Sequence, residues 1–410
     1  MKKPVVRICL LVLALALAVP GIVLYLASYF WSAWLLLGAA CLAALERVLT
    51  VGPGEAAGQA RAFLSKAATP VEGVCCALLI GAAIMAATGH DPISSYGALF
   101  YGGLVKNWAV SVLNATPLVF TALAVAIAFH GGLFNIGAEG QYYVGVIVAT
   151  WLGLLLHLPP ILSLPLIFMA GAVAGALANA IPAWLKVRTG AHEVVTTMMF
   201  AYAISTLSPI FIRAHGGDPS MTDHPGATDT ILQQSQLPVF KSFLPLANYR
   251  LHIGVLIAIG LAILVRFLLA RTNLGFKIRA TGFNPVAARM QGISVAGITV
   301  ASLMISGAVA ALSGVTQVVG LDHRMYQNLS AGYGWNGISV ALLARNNPVA
   351  IIFASLLWGI LDAGGQYMAR TAQTPNAIIE IVKGVILFLM LAEYLWSWLS
   401  SHLRRKRAVA

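Results

Sequence analysis

The sequence predicts an all-α polytopic membrane protein: a core of about ten helices built as an inverted repeat, plus two extra helices at the N-terminus. Three observations carry this. Of 410 residues, 59% are apolar and only 9% are charged, where a soluble domain carries about 25%. Mean hydropathy is +0.85, which is more apolar surface than a soluble chain of this size can hide. Apolar runs of about 17–25 residues, the length that spans a bilayer, recur from end to end.

The first two runs lie near 8–28 and 30–46, so residues 1–47 read as two N-terminal membrane helices. Lys2, Lys3 and Arg7, with Ala16-Leu17-Ala18 behind them, also resemble a signal peptide. The apolar character continues to residue 45, which favours the membrane helix. Residues 48–70, rich in Gly, Ala and Gln with Arg61 and Lys66, read as a linker or interfacial helix. The core, 71–398, holds runs near 71–89, 108–129, 137–157, 161–185, 193–212, 251–270, 298–320, 333–344, 349–367 and 376–398. A polar loop at 213–250 separates its halves, about 71–235 and 236–398. His215 and His224 in that loop read as solvated side chains. Residues 399–410 form a basic tail.

The net charge of +12 would suggest nucleic acid in a soluble protein. Here the basic residues cluster between apolar runs, which points to anionic lipid and a cytoplasmic protein rather than nucleic acid. With both termini cytoplasmic, alternation places 18 basic residues on the cytoplasmic side and 6 outside. That alternation requires the short run 333–344, or an equivalent, to cross. Cys9, Cys41, Cys75 and Cys76 all fall in apolar runs without metal-site spacing.

An odd number of crossings in each half makes the halves inverted. The third run of the first half opens on Gly132-Leu133-Phe134-Asn135-Ile136-Gly137, and that of the second on Gly334-Trp335-Asn336-Gly337. Each places glycine, an aromatic residue and asparagine at the start of an apolar helix.

Enzyme motifs are missing. Gly-Lys occurs nowhere, so there is no phosphate-binding Walker loop. His192-Glu193-Val194-Val195-Thr196 has Thr where a zinc protease needs its second His. Gly292-Ile293-Ser294-Val295-Ala296 lacks the last glycine of a nucleophile elbow. Two segments carry positive signals. In 131–141, Asn135, Glu139 and Gln141 sit among four glycines beside apolar helix. Polar groups there must face protein or a wet cavity. This makes Phe134, Asn135, Glu139, Gln141, Trp335 and Asn336 candidates for a solute pathway. A solvated turn, with each Asn acting only as a helix cap, is the alternative. Residues 271–297 are too charged to cross. Asn284 suits an N-cap, Pro285 the first helical position and Gly292 the stop, so a short helix lies there between two membrane helices. Ala287 and Ala288 beside Val286, Met290 and Ile293 would fit a partner's groove. Glu380 and Lys383, at i and i+3, can pair on one helix face. Asp362 stands in an apolar run.

The strings GLFNIGAEGQ (132–141), ATGFNPVAARMQGI (280–293) and GYGWNGISVALLARNNP (332–348) together resemble the permeases of ABC importers. Within that superfamily of branched-chain amino acid, ribose and nucleoside systems they are most similar to the nucleoside branch. The likeness covers about 71–398. It implies a bacterial plasma-membrane permease that is not itself an enzyme and holds no cofactor. ATP and Mg would sit on separate ATPase subunits, an extracytoplasmic lipoprotein would deliver solute, and a second, non-identical permease would complete the pathway. It further implies that ATPase closure is transmitted through the 284–292 helix, with Gly282, Asn284, Pro285, Ala287, Ala288 and Gly292 at the contact. A sugar importer is the alternative within the class. An ion-coupled secondary transporter is the alternative outside it, and would call for clustered mid-membrane carboxylates.

Overall fold

The computed structural model describes residues 74, 76–216, 226–240 and 250–391. The two N-terminal helices and linker expected in 1–70, His224 and the tail at 399–410 lie outside the described residues. The chain divides into compact units Met1–Ile80 and Gly81–Ala410; apart from the start of the first helix, the second contains everything discussed below.

Thirteen helices follow one another among the described residues. Helix α1 is Cys76–Ala87. Helix α2, Pro92–Phe100, was not expected from apolar runs; Asp91 caps it by accepting from the amides of Ile93 and Ser94, both at 3.1 Å, and proline occupies its first turn. A π-turn over Tyr101–Lys106 leads into α3, Trp108–His130. Next come α4 (Ala138–Leu155), α5 (Pro160–Thr189) and α6 (Glu193–His215). His215 is thus the last residue of a helix, its ring stacked on Phe211 at 4.3 Å, rather than a loop side chain. After the loop come α7 (Gly254–Arg271), α8 (Asn273–Phe283), α9 (Pro285–Met290) and α10 (Val295–Gln317), whose last turn runs on as a π-turn to Asp322. The chain ends in α11 (Tyr333–Leu343), α12 (Pro348–Thr371) and α13 (Ala377–Leu391).

Six of these segments are long and apolar enough to cross a membrane: Trp108–His130, Pro160–Thr189, Glu193–His215, Gly254–Arg271, Val295–Asp322 and Pro348–Thr371. The protein is therefore a multi-pass, all-α membrane protein. The run at 333–344 does not cross as a helix alone; the chain passes from the Asp322 end of α10 to the turn at Arg345, beside His130 at the opposite end, as the non-helical stretch 327–332 followed by the short helix α11. Eleven residues at 1.5 Å each give about 16 Å against a hydrocarbon core of about 30 Å.

The bundle is organised on two antiparallel central helices, α3 and α10. From Ala115 to Ala128 every residue of α3 is buried. Two serines seven residues apart on α10 donate to α3 carbonyls seven residues apart: Ser306 Oγ to Ala124 O at 2.6 Å and Ser313 Oγ to Pro117 O at 2.9 Å. Such hydrogen bonds join helices where apolar burial cannot, because lipid is as apolar as leucine. Small residues bring the outer helices in. Gly175 of α5 and Gly307 of α10 each lie against the other's carbonyl, and Gly145 of α4 lies against Ala311 O of α10; a Cβ at any of the three would collide with backbone. Helices α4 and α5 thus pack on α10, while α11 and α12 pack on α3. The central helix of each half thus receives two successive helices of the other half in the same pattern.

Three ion pairs among the described residues fasten the bundle. Lys186, in the last turn of α5, bonds Glu193 at the start of α6 at 2.7 Å. Lys383 of α13, almost wholly buried, bonds Glu380 at 2.9 Å and also Asp362 of α12. The expected i, i+3 pair is present, and Asp362 turns it into a bridge between helices.

Candidate solute pathway and coupling site

Helix α3 ends at His130 and the chain turns at Gly131-Gly132, where Gly132 takes φ +71°. Residues 133–136 are non-helical, and α4 then begins beside the middle of α3 rather than at its end. The position follows from contacts. Glu139, in the first turn of α4, accepts from the Gly334 amide at 2.8 Å, and Thr121, over two turns from the end of α3, donates to Tyr333 O at 3.0 Å. The N-termini of the half-helices α4 and α11 therefore meet inside the bundle. Ser330 closes the α11 end, its hydroxyl accepting from Gly332 and Tyr333 amides at 3.2 Å. Amides at the start of α11 point at a carboxylate in the first turn of α4, which is the electrostatic complement a helix N-terminus requires. The close approach depends on Gly334, where any Cβ would strike the Glu139 backbone.

The six residues expected to line the pathway divide into two groups. Asn135 is fully buried, and its amide is saturated by protein. Its Nδ2 donates to Gln141 Oε1 at 2.9 Å and Ser306 Oγ at 2.8 Å, while its Oδ1 accepts from the Gly137 amide at 2.9 Å. Gln141 is buried with it. Phe134 packs edge-on against Phe129 at 4.7 Å. The cost of an amide in hydrocarbon is met here by protein, not by a wet path. Asn135, with Gln141 bonded to it, braces the start of α4 against Ser306 of α10. Trp335 and Asn336 differ. Both are half-buried, Trp335 lies 6.1 Å from the ring of exposed Tyr202, and the Asn336 amide has no hydrogen-bond partner among the described residues. Tyr202 gave no sequence signal beyond an aromatic residue in an apolar run.

The 271–297 segment holds two helices, not one. Thr272 caps α8 through the Gly275 amide at 3.0 Å, Asn284 caps α9 through Val286 and Ala287 amides at 3.0 Å, Pro285 stands first, and Gly292 at φ +75° ends it. Gly282 lies against the His130 carbonyl and the Gly132 amide, so a side chain there would break this chain's own packing. Ala288 is 3% exposed and also faces inward. Both pack within this chain. The surface offered outward is Phe283 (89% exposed), Val286 and Met290 (83%), with Ala287 beside them. Gly282 touches Gly132, so α8 packs directly on the turn that leads to Asn135 and Glu139.

At the opposite end of α10 lies a cavity of about 580 Å³ whose polar lining is Thr230, Arg250, Asp322, His323, Arg324 and Tyr326. Asp322 accepts from Gln317 at 2.8 Å. Behind it His252 is clamped between Gly254 and Gly320, and its Nδ1 accepts from the Gly254 amide at 3.1 Å, which needs that nitrogen unprotonated. Burial, and then the neighbouring His323, push His252 down to about 4. The unfolded chain therefore takes up the proton first, so stability is full at neutral pH and falls as pH drops from about 6.5 towards 4. Between about pH 7 and pH 5 the loss attributable to His252 is about 2 kcal/mol. Thermal unfolding of His252→Gln is expected to show a shallower pH dependence than the parent; equal slopes would refute it.

Comparison with known proteins agrees with this architecture. Residues 107–391 match the family described as branched-chain amino acid transport system / permease component. The chain is 33% identical over 351 residues to the guanosine ABC transporter permease protein NupP of Bacillus subtilis, covering 84% of this chain and 99% of that one. It is 33% identical to the nucleoside ABC transporter permease protein NupB of Lactococcus lactis subsp. cremoris, over 80% of this chain and 92% of that one. To the glucose ABC transporter permease protein TsgB13 of Haloferax volcanii it is 32% identical, over 80% and 87%. Each of these organisms has a second permease protein of the same kind, one of them putative, that matches at 25–26%. No solved structure matches the chain significantly. With well over half its length matched, the chain belongs to the family of branched-chain amino acid transport system permease components.

Proposed function

We propose that the chain forms one side of the solute pathway of an ATP-driven nucleoside importer in a bacterial plasma membrane. The observation that carries this is the meeting of two half-helix N-termini at Glu139, reached from α8 through Gly282. A solute site beside that junction would be opened and closed by the segment that faces the ATPase. Asn336, Trp335 and Tyr202 are the contacts offered to solute: an unpartnered amide next in sequence to a tryptophan that lies 6.1 Å from Tyr202 suits the edge and plane of a base. Glu139 holds the junction, and Asn135 and Gln141 brace it. Relatives that carry guanosine and nucleosides support that substrate class, while the glucose relative keeps a sugar as the second reading.

The distribution of lysine and arginine supports both termini on the cytoplasmic side, which puts α8 and α9 there and the cavity at Arg250 and His323 outside. On this reading separate ATPase subunits hold ATP and Mg and dock on Phe283, Val286 and Met290. An extracytoplasmic lipoprotein delivers solute to the outer face. The second permease is a non-identical paralogue, as the paired relatives in three organisms suggest.

Production of the chain with its ATPase, lipoprotein and companion permease should give guanosine uptake that excess uridine or adenosine competes for and glucose does not. Glucose uptake insensitive to nucleosides would overturn the substrate assignment. Phe283→Glu combined with Met290→Glu should leave membrane levels within normal scatter, since exposed substitutions cost about 0.5 kcal/mol or less. Solute-stimulated ATP hydrolysis should fall to the unstimulated rate. Normal stimulation in that variant would remove α9 from the coupling path.

A further inference from the structure

The cavity of about 580 Å³ at the Asp322 end of α10 has the size of a small-molecule site, about 300–1,000 Å³. Its walls are tied together by backbone. The Thr228 and Ile231 amides donate to the Met325 and His323 carbonyls, both at 2.8 Å, and the Leu237 amide donates to Val319 O at 2.7 Å. The Met325 amide returns a bond to Thr228 Oγ1 at 3.0 Å. The loop before α7 is thus fixed to the chain that follows α10, and the space between them is formed before any occupant arrives. His323 is held at φ +56°, a strained backbone for a residue other than glycine, and its Nδ1 is buried without a hydrogen-bond partner.

Asp322 has acceptor capacity to spare. One of its oxygens accepts from Gln317 at 2.8 Å, and the other only from the Tyr326 hydroxyl at a long 3.4 Å. A carboxylate has about four lone-pair positions, so about two stay open. Arg250 and Arg324 line the same cavity, yet neither forms an ion pair with Asp322. A carboxylate and two guanidinium groups that share one space without pairing offer acceptors and donors to a molecule lying between them. The polar character continues towards the bundle interior. Tyr142, one turn after Glu139 on α4, is fully buried with its hydroxyl unpartnered, and Tyr333, which opens α11, lies 5.9 Å from its ring. Both tyrosines are close enough to Asp322 for its charge to act on their hydroxyls. The floor of the cavity therefore borders the junction of the half-helices.

We propose that this cavity is an entry site for purine nucleosides, in which Asp322 accepts from the two ribose hydroxyls while Arg250 and Arg324 donate to the base. A carboxylate is the group that takes ribose hydroxyls in dinucleotide sites, and bonds of that charged kind are roughly twice as strong as neutral ones. A guanidinium fork matches O6 and N7 of a guanine edge. On the orientation proposed above, solute meets this cavity first and Asn336, Trp335 and Tyr202 afterwards. The assignment rests on the nucleoside reading and adds the group that recognises the sugar.

The test uses the full chain in phosphatidylcholine nanodiscs, with inosine, dideoxyinosine (the same base on a sugar without the two hydroxyls) and glucose as probes. Each is titrated and its binding followed by saturation-transfer NMR. The parent should bind inosine about tenfold or more tightly than dideoxyinosine, because the dideoxy sugar leaves a charged acceptor unpaired. Asp322→Asn should lose that preference and keep its dideoxyinosine affinity within about twofold, since no hydroxyl is there to be lost. Equal affinities in the parent, or a preference that survives in Asp322→Asn, overturn the assignment and leave the transport reading untouched. Glucose binding without inosine binding overturns both. Binding of none of the three overturns the entry site alone, because guanosine uptake by the assembled importer is measured separately. The comparison within the parent needs no variant, so it decides the question even where Asp322→Asn folds poorly.

Discussion

Lys383→Met is expected to remove most of the protein from the membrane fraction. The substitution keeps the length and apolar stem of the side chain, but leaves Asp362 inside the bundle without its counter-charge. Breaking one side of a buried pair costs about 3–5 kcal/mol, a large part of the stability of an ordinary protein. The double variant Lys383→Met, Asp362→Leu should recover much of the loss, because replacing both partners with apolar groups is often neutral. Quantitative blotting of membrane fractions, with thermal unfolding of whatever can be purified, decides it. A single variant as abundant and stable as the parent would show that Asp362 is not charged there. A double variant no better than the single would show that the pair matters for something other than charge balance.

Glu139→Leu is expected to abolish uptake, whereas Glu139→Gln keeps most of it. The carboxylate accepts from the Gly334 amide, and the Ser330 hydroxyl and Trp335 amide also reach it. Leucine fills the volume but leaves the start of α11 without an acceptor. Hydrogen bonds to a charged group contribute about 1.5–3 kcal/mol, so the junction opens or shifts, and Trp335 and Asn336 move with it. Glutamine offers a neutral oxygen at nearly the same place. Uptake normalised to membrane level separates this from a folding defect. Equal activity in the two variants would mean that the meeting of the helix ends does not position the site.

Much of the bundle was legible in the sequence because spanning a bilayer imposes length and apolarity together. Helices α3, α5, α6, α7, α10 and α12 fall within a few residues of the runs that announced them. The short helices escaped for the converse reason. In α2 the signals are only Asp91, Pro92 and Ser94, and the charges of α8 made it look like loop although Thr272 caps it. The caps of α9 were readable because Asn284, Pro285 and Gly292 act on their own neighbours. What local reading could not supply was who sits opposite. The argument that Asn135 must escape lipid was sound, yet it could not say whether water or Ser306, 171 residues on, would receive the amide. The Glu380–Lys383 pair was visible at i, i+3, but Asp362 lies on another helix. His252 is clamped by Gly254 and Gly320, and only one of those is nearby in sequence.

The completely buried stretch of α3 has a consequence for how the protein is made. Its lasting neighbours, α10, α11 and α12, are synthesised about 200 residues after it, so for much of translation α3 must rest in lipid before the bundle closes around it. Its apolar surface is therefore selected twice, first by the bilayer and only later by packing. A polar substitution that the finished bundle could satisfy, for example at Ala122 or Val125, would meet its harshest test before any partner exists. Such variants should fail as unintegrated nascent chains rather than as unstable finished proteins.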